Sequence, residues 1–194
     1  MTNSIAGRGG GGGREPTSVA GQGGAGGVGD GIPTGCGVLT TTRYFCEDFE
    51  DGLGLWTVSG QDWDLIVSDF RSPTHAATDS PDGDYLCGSD TSMYLKAPLD
   101  LTEAVAPVLE FWHKLSHDGR SADEGAFVEF SADGITWDVS MRLTTYTTTW
   151  SLQRLSLSQF VGSQQYVRFS LRETGGCGVA DGWYLDDIEV RELD

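Results

Sequence analysis

The residues of this chain best suited to chemistry are its carboxylates, and Asp186 stands out among them. In the run GWYLDDIEV, Ile188 and Val190 recur at every second position, so a strand there turns both toward a core. Period-two alternation carries Asp186 and Tyr184 to the same face. A bare carboxylate facing a core costs on the order of several kcal/mol, so it must be paired, protonated or bound to a metal. Cations are scarce nearby in sequence and carboxylates abundant. That setting suits calcium, a hard cation that takes about six to eight oxygen ligands. The alternative is that Asp186 or Asp187 caps a loop by accepting backbone N–H groups.

Other acidic groups compete for the same role. In CEDFE, inward-facing Phe45 and Phe49 put Glu47 and Asp51 on the core face and turn Glu50 outward. Glu50 reaches an inner ion only if the strand ends there or bulges, which Gly52 permits. Asp79, Asp82 and Asp84 in DSPDGDY place oxygens around a glycine but lack the bidentate Glu of a calcium loop, which favours a solvated turn. Asp118, Asp123 and Glu124, with Asp181 from afar, form a third candidate of the same rank.

Catalytic patterns are missing. No H-E-x-x-H, G-x-S-x-G or P-loop is present. His113 and His117 lie in a strand-like segment, where that spacing spans about 13 Å and chelates nothing. The expectation is a protein that is not an enzyme, with a glycoside hydrolase as the remote alternative because any acidic sandwich holds carboxylate pairs. Trp112, Trp137 and Trp150 sit at outward-facing positions, which raises stacking on sugar rings beside the more ordinary role of core packing.

These groups need elements to position them. From Thr41 onward the chain reads as about eleven short strands: YFCEDFE, LWTV, DWDLIV, DYLCG, SMYLKA, VLEFWHKL, GAFVEFS, TWDVSMRL, WSLQRLSL, YVRFSLRE and GWYLDDIEV. SPDGD, SADG and ETGGCG separate them as turns. YVRFSLRE alternates cleanly, with Val167, Phe169 and Leu171 on one side and Arg168, Ser170 and Arg172 on the other. No segment sustains a helical period, and LTEAV and SLSQFV make a turn or two at most. The fold class is all-β, an antiparallel two-sheet sandwich spanning 38–194.

Residues 1–37 are different. GRGGGGG and GQGGAGGVGDG carry no large apolar side chains, so this stretch reads as a disordered linker or tether. Its G-x-G-x-x-G at Gly21, Gly23 and Gly26 lacks the strand and helix that a dinucleotide site requires. The formal net charge of −17 excludes nucleic acid, which needs a positive face, and disfavours anionic membranes. No apolar run is long enough to cross a membrane, and the first residues lack the apolar core of a secretion signal. The four cysteines, Cys36, Cys46, Cys87 and Cys177, form no C-x-x-C pair. They fit two disulfides in an oxidising compartment, with Cys36–Cys46 and Cys87–Cys177 favoured among the pairings open to them.

Six segments in order resemble the MAM-like jelly-roll domains, a group that includes cleaved adhesins, choice-of-anchor J domains and the accessory domain of immune-inhibitor-A-type peptidases. They are FEDGL followed by Trp56, SMYLKAPLDLT, PVLEFWHKL, EGAFVEFSADGITW, the stretch from Trp150 to Leu171, and DGWYLDDIEV. The resemblance implies an extracellular jelly roll, stabilised by calcium and used in adhesion or beside an enzyme. It matches Asp186 and Asp187 to the family's DD pair and Glu50 to its first-strand Glu, with Asp51 as the second choice there. The expected protein is a secreted or cell-surface module that recognises protein or carbohydrate, or else a structural accessory domain.

Overall fold

The computed structural model describes residues 36–37, 41–60, 63–117, 123–173 and 180–193. Apart from Cys36 and Gly37, the Gly-rich segment lies outside these residues, as do Asp118 and Cys177. The strands are β1 (Arg43–Glu47), β2 (Trp56–Ser59), β3 (Asp64–Ile66), β4 (Ala76–Thr78), β5 (Asp90–Leu95) and β6 (Leu99–Asp100). They continue with β7 (Pro107–Ser116), β8 (Gly125–Ser131), β9 (Asp138–Leu143), β10 (Thr147–Ser156), β11 (Gln164–Arg172) and β12 (Gly182–Glu192). One 3₁₀ turn, Ser158–Phe160, falls in the expected SLSQFV segment.

Two antiparallel sheets form the expected sandwich. The first runs β10-β7-β12-β4-β3, with β1 also paired to β12; the second runs β2-β5-β11-β8-β9, with β6 also paired to β11. Their facing sides meet in an aromatic core. Phe169 from the second sheet touches Phe111 and Trp183 from the first, at centroid distances of 5.3 and 5.7 Å, and Trp56 at 5.9 Å. All four are buried, as offset and edge-on aromatic pairs are in well-packed interiors.

DYLCG is not a strand. A turn precedes it, Gly83 N–H to Ser80 C=O, another closes through it, Ser89 N–H to Leu86 C=O, and Tyr85 N–H reaches Ala180 C=O. Two shorter strands, β4 and β6, replace it in the count of paired segments.

Strand β12 sets the position of the acidic pair. Along one edge it pairs with β7 throughout. Along the other it pairs with β4 at Tyr184 and Leu185, then with β1 from Ile188 to Arg191. Asp186 and Asp187 occupy the junction between these two neighbours. There β12 bulges: Asp186 lies opposite Trp112, whereas Glu189 lies opposite Glu110. Three steps on β12 match two on β7, and Asp187 absorbs the extra residue in the left-handed region, at φ 46°.

Candidate ligand-binding site

The bulge corrects the expected facing of Asp186. Trp183 and Leu185 point into the core before it, and Ile188 and Val190 after it. Asp186 therefore belongs with Tyr184 and Trp112 on the outer face, because the alternation loses one step at Asp187. It is nonetheless fully buried, since the segment 67–75 between β3 and β4 lies over it.

The carboxylate of Asp186 anchors that loop. Oδ2 accepts Arg71 N–H at 2.7 Å and Ser72 N–H at 2.9 Å; Oδ1 accepts the Ser72 hydroxyl at 3.0 Å and Asp187 N–H at 2.8 Å. Burial pushes its pKa up to about 7, against the pull of the Ser72 and Arg71 amides, with the Asp187 charge adding to the rise. The Ser72 hydroxyl also lies 3.3 Å from the Asp48 carbonyl, which ties in the turn after β1.

Glu50 holds the other end of the same loop. It accepts Thr74 N–H at 3.0 Å, His75 N–H at 2.9 Å and the Thr74 hydroxyl. Burial is the largest single influence and would raise its pKa, but these bonds together outweigh it and hold the pKa below the usual carboxylate value. Glu50 gets there because β1 ends at Glu47 and Phe49 turns back into the core at φ 60°. The inward carboxylate of β1 is Glu47, which is buried and accepts Phe49 N–H and Trp56 Nε1–H, each at 2.9 Å. Asp51 is exposed and makes no hydrogen bond with the described residues.

The other acidic candidates have separate roles among the described residues, with Asp118 lying outside them. Asp79 is buried and caps β12 by accepting Trp183 N–H at 2.6 Å, while Asp82 and Asp84 are exposed. Glu124 is buried, Asp123 is exposed, and Asp181 accepts the Tyr184 hydroxyl at 2.9 Å. His113 faces the core, where burial lowers its pKa to about 4, and His117 Nε2 lies 3.1 Å from the Arg172 carbonyl. Among the described residues, no three acidic, His or Cys side chains are placed to share one ion. Asp186 also has two donors on each oxygen, which uses up its acceptor capacity.

What the anchored loop delivers is an aromatic and charged surface on the first sheet. Asp69 accepts Lys114 Nζ–H and, at 3.0 Å, Trp150 Nε1–H. The Lys114 ammonium stands 4.7 Å from the Tyr184 ring centroid and 5.7 Å from that of Trp150. Arg71 stacks on Trp112 at 4.4 Å. These distances are those of cation–π contacts. Beside them lies a pocket of about 120 Å³, lined among others by Lys114, Tyr146, Thr148, Asp181 and Tyr184. Tyr146 and Phe70 are exposed at its margin and on the loop. Trp112 and Trp150 were visible as outward positions in the sequence; Asp69, Arg71 and Lys114 were not, because nothing in their local pattern marks partners so far along the chain.

The cysteine pattern is met where it is described. Cys36 and Cys46 form a disulfide, and Cys87 is disulfide-bonded. Cys177 lies outside the described residues.

No family model matches the chain, and no curated protein matches it. Solved structures do. The K2 cleaved adhesin domain of Lys-gingipain is similar over 77% of this chain and 99% of its own, with 17% identity and a TM-score of 0.51. The C-terminal family 22 carbohydrate-binding module of Clostridium thermocellum Xyn10B is similar over 80% of this chain and 97% of its own, with 12% identity and a TM-score of 0.51. A xylan-binding domain of the same module family covers 79% of this chain and 97% of its own, at 12% identity and a TM-score of 0.50. At these identities the likeness establishes the jelly-roll fold.

Proposed function

We propose that this chain is a non-catalytic binding module that holds a carbohydrate on the outer face of its first sheet. One observation carries the reading: Trp112, Lys114, Trp150 and Tyr184 share that face, with Asp69 and Asp181 among them and a pocket alongside. Ligand sites join aromatic walls to a few convergent polar groups, which is the composition here. Flat rings suit sugar faces, and the carboxylates, ammonium and threonine hydroxyls suit sugar hydroxyls. Charge is balanced, Lys114 and Arg71 against Asp69 and Asp181, which favours a neutral sugar over an acidic one. The adhesin and xylan-binding neighbours support a binding module of this fold.

The same reading places the module outside the cell, in keeping with its disulfide-bonded cysteines. It also keeps calcium as a structural ion that joins the two ends of the domain. Glu50 and Asp187 would hold it together with main-chain carbonyls, and its charge would offset the acidic surroundings. Nothing in the recognition of the sugar passes through the ion.

The test is titration with neutral oligosaccharides, after a glycan array has selected one. Trp150→Ala is expected to weaken binding at least tenfold while the fold persists. An array with no neutral glycan bound, or a Trp150→Ala variant that binds as wild type does, rejects the site. Thermal melting with calcium and with chelator addresses the ion separately, since a ligand of the native state raises stability by mass action.

A further inference from the structure

The outer face of the second sheet carries a different arrangement. Glu129 on β8 is 1% exposed although it faces away from the core. Its Oε2 accepts Arg168 Nε–H at 2.7 Å and the Ser170 hydroxyl at 2.8 Å, and its Oε1 accepts Arg172 Nη2–H. Burial alone would raise its pKa; the hydrogen bonds from Arg168, Ser170 and Arg172 outweigh that and hold it below the usual value. Each guanidinium is also fixed face-on, Arg168 over Trp137 at 4.4 Å and Arg172 over Phe127 at 4.6 Å.

Two arginines thus share one carboxylate, and the trio keeps a net positive charge in a protein of net charge −17. Asp90 does not cancel it: its carboxylate lies 3.9 Å from Arg172 Nε on a side chain that is 73% exposed, where solvent screens the pair. Arg168 spends only Nε. Its two Nη groups have no acceptor among the described residues, and its side chain is 20% exposed. A guanidinium pinned at Nε and stacked on one face presents its paired Nη edge, the fork that a carboxylate fits with two parallel bonds. Tyr94 lies opposite Arg168 in register, and its ring is 5.7 Å from that of Trp137. Tyr166 stands on the same face of β11, two residues from Arg168.

We infer that this face is a second ligand site, separate from the first, which takes a carboxylate-bearing sugar, a uronate, with the carboxylate on the Nη edge of Arg168 and the sugar ring among Trp137, Tyr94 and Tyr166. Planar donors alone fit any carboxylate. The half-buried aromatic rings around this one add a surface for a ring-shaped carrier, which an extended acidic peptide does not offer. The inference does not depend on the function proposed for the first sheet.

The experiment is calorimetric titration of the full chain with trigalacturonate, with its methyl ester, and with an aspartate-rich peptide of equal charge. Trigalacturonate is expected to bind, and the uncharged ester to bind at least tenfold more weakly. Both measurements use wild-type protein, so no variant has to fold for them to count. Arg168→Gln combined with Glu129→Gln removes one charge of each sign and leaves the face without an unpaired carboxylate; it is expected to cost at least tenfold. Raising salt from 0.01 to 0.15 M is expected to strengthen binding, because it screens the distant carboxylates of the protein more than the contacts in the site. Absence of binding, equal binding of the ester, an unaffected double variant, a steep fall with salt, or a peptide that binds as tightly as the sugar would each overturn the inference.

Discussion

The two outer faces of the sandwich solve one problem in different ways. Each carries tryptophan with a cation held over its ring: Arg71 on Trp112 and Lys114 near Trp150 on the first sheet, Arg168 on Trp137 on the second. On the first, Asp69 and Arg71 arrive on a loop, so the surface exists only while Asp186 and Glu50 hold that loop down. On the second, every charged partner stands on a strand, and Glu129 opposes Arg168 directly across β8 and β11. A loop-built face can balance its charges one against one, because the loop brings what the strands lack. A strand-built face is fixed by register and keeps its surplus positive charge.

The two faces break differently. Asp186→Ala removes four hydrogen bonds' acceptor from buried donors and should cost on the order of 3 kcal/mol in urea unfolding, since each buried donor left unsatisfied costs roughly 1–3 kcal/mol and part of the loop can rehydrate. A loss under about 1 kcal/mol would mean that the loop is not anchored there.

Acid should separate the sheets next. His113 faces the core from β7, and its folded pKa of about 4 lies below its ordinary value of 6.5. Between those values the unfolded chain binds the extra proton, so stability is lost as pH falls through that window, by at most about 1.4 kcal/mol per pH unit. Relative to wild type, His113→Leu should remove this acid-induced loss, leaving the opposite effect of Asp186, whose raised pKa of about 7 adds stability as pH falls. Glu129 responds later. Its folded pKa is depressed, so its contribution is present above the ordinary carboxylate value of 4.5 and is lost as pH falls through the lower, folded value. Glu129→Gln should lower stability by a constant amount above pH 4.5 and converge on wild type only in that more acidic range. A His113→Leu profile identical to wild type between pH 6.5 and 4 would remove the distinction.

The smallest effect on stability should come from Glu50→Gln, about 1 kcal/mol, because its partners Thr74 and His75 lie near solvent. Binding of a neutral sugar on the first face should nonetheless fall severalfold, since the loop end is freed, while the second face keeps its affinity for uronate. Equal losses on both faces would merge them into one unit.

The sandwich was legible because alternation repeats along strands such as β11, where Val167, Phe169 and Leu171 are all buried as the pattern requires. Segments of two or three residues, β6 and β4, are too short for a period to register. DYLCG carried a strand's composition, but a turn closes through it. Asp186 was recognisable as a carboxylate in need of partners, and the loop 67–75 supplies hydrogen-bond donors to it. Its direction was hidden, because one left-handed residue at Asp187 shifts the parity of everything before it. Loop 67–75 was hidden more deeply: Asp69 meets Lys114 and Trp150 across separations of 45 and 81 residues, and short-range pattern says nothing of such pairs.

The Cys36–Cys46 bridge has a mechanical consequence. A pull applied through residue 35 would otherwise peel the chain from Gly37 through β1 residue by residue. The bridge carries that load directly to Cys46, which pairs with Glu189 on β12. The ten-residue separation it closes is thus a stretch of chain shielded from tension. On reduction that stretch, roughly 30 Å when extended at about 3.3–3.6 Å per residue, would be drawn out only by peeling β1 from β12.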